Sequence, residues 1–256
     1  MNVLESFKLI NKVAIITGGN GHLGTQMSLA LSEAGAIVII AAQNEEKCTD
    51  ILSDSIYFCK CDISSSESIK EEFAWVKKKF GSIDILINNA VFTRGQSPEE
   101  MEEDDWKYGI DGCLNSAFRT IKAVIPYFKE QQSGNIVNIS SMYGIISPDF
   151  KIYEGNTFLN PPHYGAAKAG IIQLTKYYAA YLAKYNVRVN AVSPGTFPTS
   201  KVQENKVFVE RLSGKNPMGR IGQPNELKGV LVFLSSEASS YITGQNIAVD
   251  GGWTIW

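Results

Sequence analysis

The chain lacks what several protein classes require. Among its 256 residues are two histidines, His22 and His163, in unrelated segments. Cys48, Cys59, Cys61 and Cys113 form no Cys-x-x-Cys pair, so no zinc centre or other metal site is expected. The cysteines also show no disulfide framework, and they read as reduced thiols of a cytoplasmic protein. Neither sign of charge prevails: 24 Lys and Arg stand against 26 Asp and Glu, a net of −2. That balance leaves no footprint for nucleic acid or an anionic membrane. No apolar run approaches the roughly 20 residues of a membrane span. Met1–Leu9 shows neither a cationic leader nor an apolar core, so no secretory signal is expected. Repeats, low-complexity tracts and linkers are also missing, which leaves one domain spanning 1–256 as the economical reading.

What is present is a rhythm. Val13–Ile16 is a β-branched apolar run of the kind buried in a parallel strand. Gly18, Gly19, Gly21 and Gly24 follow, and then Leu23, Met27, Ala30, Leu31 and Ala34 recur at helical spacing. Strand, glycine turn and helix N-terminus make an anion cradle. Unpaired N–H groups and the positive end of the helix dipole meet at one point, and the glycines let a pyrophosphate approach the backbone. Further strands are predicted at 36–41, 56–61, 83–87, 135–139, 187–192 and 247–249. Helices fall between them, including 69–80 closed by Gly81, a long one over 105–131 with a bend at Pro126, and 164–185. This alternation predicts an α/β fold: a Rossmann-type doubly wound parallel sheet with helices on both faces. Two segments break the period, Tyr143–His163 and Thr196–Asn216. Both read as irregular loops at the carboxyl edge, where such folds bind ligands.

Tyr164 and Lys168 lie four apart on a predicted helix and share a face. A free phenol, with a pKa near 10, is a poor base at neutral pH. A neighbouring ammonium favours the phenolate, so the pair can protonate a ketone oxygen or deprotonate an alcohol. Such a pair also arises by chance on amphipathic helices; its place after an irregular loop and Pro161-Pro162 gives it weight. Ser140 and Ser141 end a strand, where a hydroxyl can bond a substrate oxygen or merely shape a turn. No Gly-x-Ser-x-Gly is present, so a serine nucleophile is not expected.

Taken in order, these motifs resemble the short-chain dehydrogenase/reductase family over nearly the whole chain. The matching segments are Thr17-Gly18…Gly24, Asp62, Asn88-Asn89-Ala90, Ile139-Ser140-Ser141, Tyr164-x-x-x-Lys168, Asn190–Gly195 and the tail from Ile242 to Gly252. The resemblance implies an oxidoreductase in which Ser141 polarises the substrate oxygen and Tyr164 exchanges its proton. Lys168 would lower the tyrosine pKa and hold the nicotinamide ribose. Thr17, Gly18, Gly21, His22, Leu23 and Gly24 would form the pyrophosphate loop. Asp62 would touch the adenine, with Ile63 beside it, and Asn89 and Ala90 would line the groove. Pro194, Gly195 and Thr199 would border the nicotinamide and pyrophosphate. A homo-oligomer, tetramer or dimer, is implied as well.

Four departures stand out. His22 occupies the place of the usual middle glycine, a spacing closer to the extended, nucleotide-sugar-modifying relatives. Cys113 stands where the family places a catalytic asparagine, five residues before Phe118. Ser141 and Tyr164 are farther apart than usual, the insertion falling in the irregular loop. Val91 replaces the glycine that usually follows Asn-Asn-Ala.

NAD and NADP are both admissible cofactors. An acid at the end of the second strand would bind a ribose 2′-OH and repel a 2′-phosphate. Here Ala42 stands at that position and Gln43 follows, which tips the reading toward NADP(H). The insertion carries Tyr143, Asp149, Lys151, Tyr153, Glu154, Asn156 and His163, which suit a polar, hydroxyl-rich substrate. Its Tyr-Glu-Gly run also resembles relatives linked to flagellin or surface-sugar modification. The expected activity is hydride transfer between a nicotinamide and a ketone or secondary alcohol of a sugar-derived molecule. Alternatives are an epimerase or dehydratase that recycles its nicotinamide, and a dinucleotide-binding sensor with lost catalysis.

Overall fold

A computed structural model describes residues 2–256. Seven strands form one sheet: β1 (Val13–Thr17), β2 (Ile37–Ala42), β3 (Ile56–Lys60), β4 (Ile85–Asn88), β5 (Gly134–Ile139), β6 (Val187–Pro194) and β7 (Asn246–Val249). The order is β3-β2-β1-β4-β5-β6-β7, with every pairing parallel. Parallel pairing demands crossovers, and the helices supply them: α1 (Gly24–Glu33), α2 (Ser66–Phe80), α3 (Glu103–Ile110), α4 (Ser116–Gln131), α5 (Pro162–Leu182), α6 (Ser200–Gln203), α7 (Lys206–Gly214) and α8 (Lys228–Ser235). This is the doubly wound sheet predicted from the alternation.

The unbroken apolar run of β1 follows from burial on both faces. Val13 and Ile15 pack with Phe73 of α2, Phe128 of α4 and Leu182 of α5. Ala14 and Ile16 point the other way, to Met27 and Leu31 of α1 and Leu231 of α8. The side-chain period of two allots alternate residues to the two cores. Local signals fix the ends of α2: the Ser65 hydroxyl accepts the Ser68 N–H, and Gly81 closes the helix in the left-handed region at φ 85°.

Two details differ from the sequence reading. The long helix is interrupted at Asp111–Asn115, a π turn joining α3 to α4, while Pro126 lies within α4. A π turn sheds no side-chain signature that periodicity could reveal. Thr196–Asn216, expected to be irregular, contains α6 and α7. There Asn205 caps α7 through the Phe208 N–H, and Phe208 and Leu212 bury against Met142, Ile152 and Trp253. Four residues separate Phe208 from Leu212, one helical turn in a window too short for the period to show. The Tyr143–His163 segment is held down by the same cluster.

Candidate active site

All the strands end on one edge, and their order reverses between β1 and β4. Open parallel sheets bind ligands at such a switch point. A cavity of about 470 Å³ opens there, and most of the predicted residues line it. Gly18, Gly21, His22, Leu23 and Gly24 form one wall, from the turn between β1 and α1. Asn89 and Ala90 follow β4, Ser141 follows β5, Tyr164 and Lys168 come from α5, and Pro194 and Gly195 close β6. Asn20, Val91, Ile139, Ser140 and Phe197 line it too. Asn20 lies inside the glycine turn, and its Nδ2 donates to the Asn44 carbonyl at 2.7 Å, fastening the loop to the chain after β2. Phe197 gave no sequence signal, because it enters the wall through the path of the chain beyond β6.

Thr17, Ala42, Gln43, Asp62, Ile63 and Thr199 do not line this cavity. Thr17 is buried beneath it. Its hydroxyl accepts the N–H groups of Asn89 at 3.0 Å and Ala90 at 3.1 Å, and so holds the β4 loop in place. Thr17 and Ile63 border a void of about 10 Å³ together with Cys113 and Lys168. Ala42 ends β2 and Gln43 follows it in the open. Asp62 lies beyond β3. Hydrogen bonds from the Ser64 hydroxyl and N–H, and a further one from Gln43, hold its carboxyl below the ordinary range. Thr199 is exposed ahead of α6.

The glycine turn is closely fitted. A Cβ on Gly24 would overlap the carbonyl oxygen of Gly18, and Gly18 itself takes φ +61°, against the Cα of Ala90. No side chain caps α1; the Thr25 N–H is taken by the Gly21 carbonyl at 2.9 Å, which leaves that of Gly24 at the cavity wall.

Across the cavity stand the three polar side chains. The Ser141 hydroxyl accepts the Tyr143 N–H at 3.1 Å, which fixes the turn after β5. Tyr164 sits in the first turn of α5, which starts at Pro162. Burial pushes its phenol up to about 12, against an opposing hydrogen bond from Ser141. Lys168, one turn on, is 3% exposed. Its Nζ donates to the Ile139 carbonyl at 2.7 Å and lies 5.6 Å from the centre of the Tyr164 ring. Burial brings its ammonium down to about 8. The sequence reading has Lys168 lower the phenol pKa. In the structure desolvation of the phenol prevails, and the ammonium is directed to a backbone carbonyl.

Cys113 lies in the π turn, buried, its thiol raised by desolvation while the Lys168 charge opposes the shift. Asn115, two residues on, is exposed and donates to Asp111 at 3.0 Å. It does not take the place of an inward-facing asparagine.

The model of the family described as enoyl-(acyl carrier protein) reductase matches residues 20–254. The chain belongs to the short-chain dehydrogenase/reductase family. It is an oxidoreductase of that family, acting on CH–OH donors. Its relatives span different substrates. The 3-oxoacyl-(acyl-carrier-protein) reductase of Thermotoga maritima is 36% identical, with 97% of this chain and 100% of the relative covered. A crystal structure of a Burkholderia cenocepacia gluconate 5-dehydrogenase with NADP and tartrate superposes with a TM-score of 0.89 at 30% identity, covering 100% of both chains. A Leptospira borgpetersenii short-chain dehydrogenase with bound NAD+ gives 0.89 at 33% identity, covering 99% of this chain and 96% of the other. Of the family traits expected here, the fold, the glycine turn and the Ser-Tyr-Lys grouping are in place, and the inward asparagine is not.

Proposed function

We propose that this chain is an NAD(P)-dependent oxidoreductase that interconverts a ketone and a secondary alcohol on a sugar-derived substrate. The observation that carries the reading is the meeting of Ser141, Tyr164 and Lys168 on the wall of the cavity that the glycine turn also lines.

The residues present fit a dinucleotide. The turn closes as it does because Gly24 has no Cβ to meet the Gly18 carbonyl oxygen, and the Gly24 N–H at the uncapped start of α1 is offered to a pyrophosphate. Lys168 has three donors and bonds one carbonyl, leaving donors for a ribose. Thr17 positions Asn89 and Ala90 along the groove, and Asp62 with Ile63 serves the adenine end. Pro194, Gly195 and Thr199 flank the nicotinamide end. When bound, the nicotinamide gives or takes a hydride.

The chain's own groups then handle the proton. Ser141 donates to the substrate oxygen and holds it toward Tyr164. A phenol that stays protonated well above neutral pH is a proton donor to the alkoxide as it forms. For alcohol oxidation the phenolate is needed, and below about pH 8, where Lys168 keeps its charge, that charge favours it. Cys113, with its thiol kept protonated, carries no part of this transfer.

Ala42, at the end of β2 where a carboxylate would bind a 2′-OH and repel a 2′-phosphate, carries none, which supports NADP(H) over NAD(H). The gluconate 5-dehydrogenase relative and the polar insertion support a sugar-like substrate. Exposed aromatics on one flank, Phe118 of α4 with Tyr177 and Tyr181 of α5, support a homo-oligomer built on these helices. Four free cysteines suit a reducing cytoplasm. Among the described residues no helix is long and apolar enough to cross a membrane, and no cluster of His, Cys, Asp and Glu could hold a metal ion.

The test follows the absorbance of reduced nicotinamide with a panel of keto-sugars, polyols and an acetoacetyl thioester. Turnover of keto-sugars or polyols is expected. Tight cofactor binding with no turnover in either direction would overturn hydride transfer, and turnover of the thioester alone would overturn the sugar reading.

A further inference from the structure

The inserted loop builds a second cavity of about 570 Å³, closed on its other side by residues 95–100. It shares no lining residue with the nucleotide cavity. Two hydrogen bonds nevertheless join them. The Tyr153 hydroxyl, on the wall of the second cavity, pairs with that of Tyr143 at 3.1 Å. The Tyr143 N–H donates to the Ser141 hydroxyl, on the wall of the first, at 3.1 Å. A molecule whose reacting carbon lies at Ser141 and Tyr164 therefore has a second compartment one tyrosine pair away.

The compartment is preformed. Tyr153 packs on Phe208 of α7 with ring centres 5.6 Å apart, and Phe158 meets Phe208 edge-on at 5.2 Å. Asn205 donates to the Asn156 side chain at 2.8 Å, and Lys215 pairs with Asp149 at 2.5 Å. Rigid walls of this kind favour recognition over simple cover.

Its chemistry is selective. Phe150, Tyr153 and Phe158 offer aromatic faces, suited to the C–H face of a sugar ring. Gln96, Asn156 and Thr157 offer amide and hydroxyl partners for hydroxyl groups. The charged side chains on the wall are Glu100 and Glu154, with no lysine or arginine among the lining residues. Arg94 and Arg211, on adjoining segments, are engaged with Asp105 and with the Ile152 carbonyl. Carboxylates on the wall disfavour an anionic guest.

We infer that this cavity is the subsite for the non-reacting part of the substrate, and that it takes a hydroxylated, non-anionic, glycosyl-like group rather than a carboxylate, a phosphate or an acyl chain. The inference rests on the sugar reading above and narrows it.

Two probes with similar ketones separate the cases: fructose, which is neutral, and 5-ketogluconate, which carries a carboxylate. Expected is a kcat/KM about tenfold higher for fructose, as one unfavourable charge contact predicts. Glu100→Gln with Glu154→Gln should narrow that ratio. Phe158→Ala should raise KM for fructose with kcat held. A preference for 5-ketogluconate, or a ratio indifferent to all three substitutions, overturns the subsite. Saturation-transfer NMR with glucitol and gluconate reads the cavity without turnover. Signal from glucitol that falls in Phe158→Ala supports the subsite even if neither ketone is reduced. Equal signal from both probes, unchanged by Phe158→Ala, overturns the subsite even if the ketones are reduced.

Discussion

The Nζ of Lys168 donates to the carbonyl oxygen of Ile139 at 2.7 Å, tying the helix that carries Tyr164 to the end of β5 that carries Ser141. The ammonium is buried with that one protein acceptor, and burial lowers it to about 8 from an ordinary 10.5. Below pH 8 the folded chain bears the cost of an enclosed charge. As pH rises past 8 the folded form releases its proton while the unfolded form keeps it until about 10.5, so this group makes stability rise with pH. Tyr164 works the other way from pH 10, where the unfolded phenol ionises first. The four buried thiols, raised from an ordinary 9.0, oppose the rise too, so the gain is visible between about pH 8 and pH 9. Lys168→Met should melt at higher temperature than the parent at pH 7, lose that rise, and lose turnover. A lower melting temperature at pH 7 with the pH rise intact would show that the lysine stabilises as a charge.

Tyr164→Phe removes the proton donor and leaves the ring. Turnover should fall by about 10²–10⁴-fold, the usual worth of a positioned acid. Cofactor affinity, read by fluorescence titration, should stay within about twofold, since each kcal/mol of lost contact would cost more than that. In the parent enzyme a phenol near 12 makes alcohol oxidation rise with pH, while ketone reduction stays flat until the donor ionises. Equal profiles in both directions would remove Tyr164 from the proton transfer.

Most of the fold was legible because burial leaves a simple record. Ile15 and Ile16 face opposite cores, and a strand buried on both faces must be apolar throughout. Ser141, Tyr164 and Lys168 were legible as residue types at the ends of predicted elements. Their electrostatics were not. Four-residue spacing puts Lys168 beside Tyr164, but the carbonyl that accepts its hydrogen bond comes from Ile139, 29 residues earlier in the chain. The role of Phe208 was hidden for a similar reason: its partners Ile152 and Trp253 are distant in sequence. The π turn at Cys113 depends on how α3 and α4 meet, and no local pattern records that.

The thiols provide a test of packing. Cys48, Cys59, Cys61 and Cys113 are all buried and free. Desolvation raises each above its ordinary range, that of Cys61 to about 12. A thiol reacts as thiolate, so the native protein at pH 8 should resist a thiol-exchange reagent and release four equivalents once unfolded. Fast labelling of Cys113 in the folded protein would mean that the π turn opens.

Gly24 is the narrowest point of the glycine turn. A Cβ there would overlap the Gly18 carbonyl oxygen and crowd the Asn89 amide, which itself donates to that oxygen at 3.0 Å. Gly24→Ala should therefore weaken dinucleotide binding at least about tenfold, about 1.4 kcal/mol of binding free energy. Gly21→Ala, whose Cβ would stand 3.2 Å from the same oxygen with nothing else within 4 Å, should be milder. Equal losses at the two positions would show that the crowding at Gly24 does not set the affinity.

The choice between NADP and NAD turns on Ala42 and Gln43. A 2′-phosphate needs a cation and no carboxylate nearby; a free 2′-OH is recognised by a carboxylate. Gln43 is neutral, and it hydrogen-bonds the Asp62 carboxyl. Gln43→Arg should therefore increase the preference for NADP by about tenfold, about the lower end of what a charge-assisted hydrogen bond contributes. Ala42→Asp, placed at the end of β2, should invert it toward NAD by repelling the phosphate. The ratio of kcat/KM for the two cofactors, measured with one substrate, decides the matter. If both substitutions leave it unchanged, the adenosine ribose does not lie at the end of β2.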